Sequence, residues 1–292
     1  MEISLRIKLS KNRADFEYYR SYAKMNLCVV GLGQVGLPVA LYASGKGLDV
    51  WGYDINPVTV ENACKTGEFR ATSFWEDIPK IEVYIICVTT SQHEGKPDLS
   101  PVFEVCKKIA KKAELPVLVS IESTITPGTC KKISADIFED RINIVHAPHR
   151  YWAADPVNHG VNQVRVMGAL NMRSLDAGVK FYEGTLGIPM HKVSSVEIAE
   201  MCKITENSHR YLQIAFSEEL KMICTKIGLD FNEVREACNT KWNVDMPEAR
   251  EGIGGHCLPK DIKYVTSLAP SQLLIRAIDI DKNYRKWLTK RK

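Results

Sequence analysis

The sequence predicts an α/β protein, a Rossmann-type doubly wound parallel sheet followed by an all-helical second domain. Three observations carry this. Short apolar runs alternate with helical segments from Leu27 to Gly168, the pattern of βα units stacked into a parallel sheet. A glycine loop, Gly31-Leu32-Gly33-Gln34-Val35-Gly36, lies between the first run and the first helix. From Ser194 the strand pattern stops, and neither proline nor glycine interrupts the chain before Gly228. The implied organisation is an extension over 1–24, a first domain over 25–193 and a helical domain over 194–292.

Composition narrows the function classes. A chain of 292 residues has room for two domains. Hydrophobic content of 45% and charged content of 25% are those of an ordinary globular protein. No apolar run reaches the ~20 residues of a membrane span, and the charged N-terminus does not read as a signal peptide. No membrane partner is expected. A net charge of +4 is too small to imply a nucleic-acid partner, and the basic stretch Lys282 to Lys292 reads as a solvated helix end. The nine cysteines include no Cys-x-x-Cys pair, so neither zinc nor a disulfide framework is signalled. A reducing, cytoplasmic compartment is expected.

Taken in order, the charged and tyrosine-rich residues 1–24 support no functional assignment. Leu27 to Val30 suits a buried parallel strand. The glycine loop leads into an apolar helix from Leu37 to Ser44, and a second strand from Asp49 to Tyr53 ends at Asp54. Asp54 follows Gly31 by 23 residues, the context of a dinucleotide fingerprint. Glycines let a pyrophosphate approach the helix N-terminus, and the acid takes ribose hydroxyls and repels a 2′-phosphate. NAD is the expected cofactor, held by Gly31, Gly33, Gln34, Val35, Gly36 and Asp54, with Thr89, Thr90 and Thr124 at later strand ends.

Val83 to Val88 is the next strand, followed by Thr89-Thr90-Ser91 and a polar loop. Ser100-Pro101 opens a helix through Lys112, with Ser100 as its N-cap. Runs at Pro116 to Ile121, Ile142 to Val145 and Val164 to Gly168 complete an expected parallel series. Ligands bind at the carboxyl ends of such strands, where Thr89, Thr90, Glu122, Ser123, Thr124 and His149 gather. His146-x-x-His149 has no further ligands converging on it, so no metal is expected.

Ser194 or Ser195 then caps a helix of about nine turns, on which Lys203 and Asn207 share a face. Gly228 ends it, a second helix runs from about Asn232 to Asn239, and a third runs from about Ser271 to the end of the chain. Before the third lies Gly254-Gly255-His256-Cys257-Leu258-Pro259-Lys260-Asp261, a cysteine in a glycine turn with a cation and an acid behind it. Taken alone, this is either a structural thiol or a nucleophile.

The motifs together resemble the nucleotide-sugar 6-dehydrogenase family, which includes UDP-glucose, UDP-N-acetylmannosamine and GDP-mannose dehydrogenases. The similarity runs from about Met25 to the end. Val29 to Pro38 is similar to the family's NAD loop, and Cys87 to Ser91 with Asp98-Leu99-Ser100 to its third-strand segment. Glu122 to Thr129 is similar to its threonine-containing strand end, and Glu200 to Lys203 with Asn207 and Arg210 to its helix signature. Gly254 to Asp261 is similar to its nucleophile motif.

The resemblance implies two successive hydride transfers to NAD, which take a sugar C6 alcohol through an aldehyde to a carboxylate. Cys257 would form a thiohemiacetal and then a thioester. Lys203 and Asn207 would stabilise the oxyanion, and Asp261 and Thr124 would hold or deprotonate the water. The chain departs from the family at Pro148-His149-Arg150, where a glutamate is usual, and at Ala153, where some members carry a second. His149 is therefore a candidate replacement base. Family members also continue into a third domain that holds the substrate nucleotide, whereas this sequence ends at Lys292. Dimerisation through the helical domain is a further implication of the resemblance. Two other readings stay open, a single-step β-hydroxyacid-type dehydrogenase and a non-catalytic NAD-binding subunit.

Overall fold

The computed structural model describes residues 25–291, and the expected extension over 1–24 lies outside the described residues. Contacts group the chain into two units. One runs up to Thr90 and resumes over Leu99–Glu200; the other comprises Ser91–Asp98 and Met201–Lys292. The boundary expected from the sequence lies between 193 and 194 and keeps all of 25–193 together.

The first unit is built on β1 (Asn26–Val30), β2 (Asp49–Tyr53), β3 (Arg70–Thr72), β4 (Val83–Ile86), β7 (Leu118–Ile121), β8 (Asn143–His146), β9 (Arg165–Ala169) and β10 (Met190–Lys192). Its sheet order is β10-β9-β8-β7-β4-β1-β2-β3. The six strands from β8 to β3 are parallel, as their near-continuous apolar sequences lead one to expect. β9 departs from the expected parallel series: it joins β8 antiparallel, with Val145 facing Ala169 and His146 facing Gly168. The cause is the connection. Residues 147–164 form no helix, and without a crossover element the chain cannot return to the far edge for a parallel pairing. β3 and β10, of three residues each, were too short to register in the sequence pattern.

Alternation along β1 sends Cys28 and Val30 into one core and Leu27 and Val29 into the other, on opposite faces of the sheet. Helix α1 (Gly36–Gly45) supplies Val39, Ala40 and Ala43 to the second core. Helix α2 (Pro57–Cys64) is capped by Asn56, whose side chain accepts from Val58 N. Helix α3 (Ser100–Lys112) buries Val102, Val105, Cys106 and Ile109 in the first core. Ser100 is not its N-cap, as the sequence suggested, but its first residue; Leu99 holds the cap position. Short α4 (Thr129–Ile133) and α5 (Met172–Val179) each continue into a wider turn, over Ser134–Phe138 and Lys180–Leu186.

In the second unit, β5 (Ser91–His93) and β6 (Lys96–Asp98) form an antiparallel hairpin where the sequence suggested only a polar loop. Helix α6 (Val196–Ile227) is the long helix the sequence predicts, with Ser195 Oγ accepting from Ile198 N and Gly228 in a left-handed conformation after its end. α7 (Phe231–Asn239) is capped by Asp230 and α9 (Gln272–Thr289) by Ser271. Between them, α8 (Cys257–Leu268) begins at the cysteine itself. The stretch read as a glycine turn is a turn that opens a helix, and Pro259 falls in the first turn, where its missing N–H costs no bond. Tyr264 on α8 donates its hydroxyl to Ser91 O of the hairpin. Tyr211, Ala215, Ile253, Ile262 and Ala277 form one core of this unit.

Glu218 is fully buried on α6, and neither carboxylate oxygen has a hydrogen-bond partner. Burial first, and then the charge of Asp281, push its carboxyl from an ordinary 4.5 up to about 8. An acid with a raised pKa keeps its proton in the folded chain while the unfolded chain loses it. Stability therefore falls between pH 4.5 and about 8, by at most ~1.4 kcal/mol per pH unit, and levels off above. Glu218→Gln removes this slope. Thermal melts are expected to show no advantage for the variant below pH 4.5 and a growing one up to pH 8; parallel melting curves across that range would exclude the buried acid as the cause.

Candidate active site

The glycine loop is shaped by close approaches that a side chain would block. Gly31 has φ +90, and an added Cβ would lie 2.8 Å from Cys87 O. At Gly36 an added Cβ would lie 1.7 Å from Gly31 O. Gly33, by contrast, has nothing within 4 Å and presents open backbone. Val35 occupies the cap position of α1 without a side-chain hydrogen bond, and Gln34 is exposed. The loop thus presents bare backbone at Gly33 directly before the start of α1, an arrangement that fits a pyrophosphate.

Asp54 does more than the fingerprint assigns it. Its Oδ2 accepts from Leu32 N at 2.8 Å and its Oδ1 from Asn56 N at 2.8 Å. The acid braces the loop from the end of β2 and keeps lone pairs for ribose hydroxyls. Thr90 is buried and donates Oγ1–H to Thr124 O at 2.9 Å, joining the loops that follow β4 and β7. Ser123 strengthens the same junction through Val88 O at 2.7 Å. Thr89 is exposed and Thr124 half-buried. These residues fit NAD.

Behind the loop lies a buried polar network that the sequence reading did not assemble. Glu122 Oε1 pairs with Arg165 Nη1 at 2.9 Å and accepts from the Tyr182 hydroxyl at 2.6 Å. Glu122 and Arg165 are buried, and Arg165 Nε and Nη2 have no hydrogen-bond partner. Burial and the Glu122 charge hold the Cys87 thiol well above its ordinary range, so this cysteine is inert packing. An arginine inside the apolar run Val164 to Gly168 was the available signal: a strand that is otherwise wholly buried requires a buried anion to match it.

His149 belongs to this network. Its Nε2 lies 3.4 Å from Glu122 Oε2, and its Nδ1 accepts from Tyr151 N at 3.1 Å. The lone pair that a base would use is already committed to a backbone N–H. Among the described residues, no group of three or more His, Cys, Asp or Glu side chains is placed to hold a metal ion.

In the second unit, α8 presents Cys257 at its first turn, exposed, with no side-chain cap from His256. Asp261, four residues on, is fully buried. It accepts from Lys260 Nζ and from Asn207 Nδ2 of α6. The Lys260 ammonium also lies 4.2 Å from the centre of the Tyr264 ring. Asn207 keeps a second N–H. Lys203, one turn before it, is half-buried, and no carboxylate among the described residues forms an ion pair with it. The structure thus brings together Lys260, Asp261 and Asn207 in the helical unit, with Cys257 one helical turn before Asp261, and it joins Thr90 to Thr124 in the sheet unit, where Asp54 braces the glycine loop.

Two family models match the chain. The NAD binding domain of the UDP-glucose/GDP-mannose dehydrogenase family covers residues 59–186, and that family's central domain covers residues 197–280. Protein CapL of Staphylococcus aureus is 32% identical over 84% of this chain and 62% of its own length. A UDP-N-acetyl-D-mannosamine dehydrogenase of Pyrococcus horikoshii is 30% identical over 81% of this chain and 63% of its own. The solved structure of a UDP-D-ManNAc dehydrogenase from Pyrococcus horikoshii superposes with a TM-score of 0.83 at 28% identity, covering 91% of this chain and 70% of that one. The chain thus spans under two thirds of the length of the curated relatives named.

The loop geometry predicts a graded response. Gly36→Ala places a carbon on Gly31 O and is expected to weaken NAD binding at least about a hundredfold, ~2.7 kcal/mol. Calorimetric titration with NAD checks this; unchanged affinity would remove the loop from the cofactor site.

Proposed function

We propose that this chain, which belongs to the UDP-glucose/GDP-mannose dehydrogenase family, oxidises the C6 alcohol of a nucleotide sugar to the carboxylate in two hydride transfers. The observation that carries the reading is the exposed Cys257 opening α8, with Asp261 four residues on tied to Asn207 of the helix that also bears Lys203. The glycine loop, Asp54, Thr90 and Thr124 would hold NAD, which supplies the hydride acceptor in both steps.

The residues divide the work as follows. The first oxidation converts the C6 alcohol to an aldehyde. Cys257 Sγ then bonds to C6, and the carbonyl oxygen takes up the negative charge of the tetrahedral thiohemiacetal. The Lys203 ammonium and the second Asn207 N–H stabilise that oxygen, a contribution of ~3–4 kcal/mol for one well-placed donor. Hydride loss from C6 leaves a thioester. Water adds, the C–S bond breaks, and the thiolate returns as the carboxylate departs. Within the helical unit, Asp261 is the group assigned to hold the water. His149, whose Nδ1 accepts from Tyr151 N and whose Nε2 faces Glu122 at 3.4 Å, is assigned a place in the Glu122 network and not the proton transfer.

Two further expectations belong to this reading. The nine free cysteines support a reducing, cytoplasmic setting. Phe216, Ile223 and Ile227 are exposed on one face of α6, which supports a homodimer through the helical unit. Nucleotide uronates are donors for polysaccharide assembly, and we place the product there.

The test is stoichiometry. With UDP-N-acetylmannosamine, UDP-glucose or GDP-mannose, two NADH are expected per uronate, and Cys257→Ala is expected to lose acid formation by at least about a thousandfold, ~4 kcal/mol. One NADH per product, or a Cys257→Ala variant as active as the native chain, would sink the proposal.

A further inference from the structure

The segment that delivers the cysteine, from Val244 to His256, has no regular structure of its own. Its backbone is instead held by side chains of the helical unit. Lys221 of α6 donates to Ala249 O at 2.8 Å, and the Tyr284 hydroxyl of α9 donates to Arg250 O at 2.7 Å. Gly252 then turns with φ +96, and an added Cβ there would lie 2.7 Å from the Arg285 guanidinium. At the next residue, Ile253 N donates to Asp281 Oδ1 at 2.8 Å. The Ile253 side chain is buried in the core formed by α6, α8 and α9.

Asp281 is where these ties converge. Its carboxylate is buried, receives Arg285 Nε on both oxygens at 3.0 and 3.1 Å, and accepts the Tyr211 hydroxyl at 3.3 Å. The Asp281 charge in turn helps to hold the neighbouring Glu218 carboxyl protonated. The charged and titratable groups around Asp281 are therefore Tyr211 and Glu218 from α6 and Arg285 from α9. A hydrogen bond to a buried, oriented carboxylate is about twice as strong as one to a neutral acceptor. It is made four residues before Cys257, and Gly254 and Gly255, which follow, have no side chains to hold the chain in place.

We propose that Asp281 is the positioning residue of the cysteine loop: through Ile253 N it sets where the first turn of α8, and with it the Cys257 thiol, is presented. The inference deepens the dehydrogenase reading and rests on it for the role of Cys257. Asp281 touches no reacting atom in this scheme. Arg285 orients the carboxylate, and Gly252 is required because any side chain there displaces Arg285. The N–H groups of a helix's first turn stabilise negative charge placed over them, so a first turn that loses its register slows attack by the sulfur.

Cys257 and Cys64 are exposed and Cys224 of α6 is buried, which supplies internal controls. Iodoacetamide labelling at pH 7, resolved by peptide mass spectrometry, needs no substrate. Asp281→Ala is expected to slow Cys257 alkylation at least fivefold, with Cys64 unchanged and Cys224 protected. Asp281→Asn, which keeps an oxygen for Ile253 N, is expected to recover most of the rate. In turnover, kcat falls with the labelling rate while NAD affinity holds. Where Asp281→Ala exposes Cys224, Gly252→Ala is scored in its place and is expected to give the same fivefold loss with Cys224 protected. A folded variant whose Cys257 labels within twofold of native overturns the inference. Slowed labelling in a chain that oxidises no nucleotide sugar overturns the dehydrogenase reading alone.

Discussion

The structure depends on the way it keeps a carboxylate dry. Asp261 lies fully buried between Lys260 and Asn207, and it joins the helix that opens with the cysteine to the long helix of the same unit. Taking such charges out of water costs several kcal/mol per ion, which is offset only when partners are close and well oriented. Removing one partner strands the other, at roughly 3–5 kcal/mol. Glu122 repeats the device in the sheet unit, shared by Arg165, Tyr182 and His149. Donors that satisfy these buried acids are thereby held still, and they include residues assigned to the site.

Burial also sorts the nine thiols. Burial pushes Cys106 up to about 12, and Cys28, Cys87 and Cys130 are raised by the same cause. A thiol that cannot ionise is a small hydrophobe. Cys257 stands apart because it is exposed at a helix start. Four of the other thiols are thus silenced by burial, while the proposed nucleophile is left open to solvent.

Features written in local sequence were legible in advance. The loop Gly31 to Gly36, the uninterrupted run to Gly228, the cap near Ser195 and the helix start near Ser271 each depend on residues within a few positions. Features that depend on distant partners were not. Glu122 meets Arg165 and Tyr182 only after the sheet forms, and Asp281 reaches back to Ile253 across a full helix. The antiparallel entry of β9 follows from a connection without a helix, which an apolar run does not reveal. Helix α8 was hidden because two glycines and a proline frame its start, and those residues read as turn when tertiary support is unseen.

The hairpin over Ser91–Asp98 has a consequence for how the chain is made. It belongs to the helical unit, yet it is encoded inside the sheet unit. Tyr264, which bonds to Ser91 O, lies 173 residues downstream. At ~5–20 residues per second, the hairpin leaves the ribosome roughly 10–35 s before the helix it docks against. It waits, tethered at both ends to strands and helices that can already pair. A fragment cut at residue 201 would reach the same helices without their first piece, leaving the Tyr264 hydroxyl without the carbonyl it bonds. The helical unit is therefore not a cassette that can be moved by its C-terminal sequence alone.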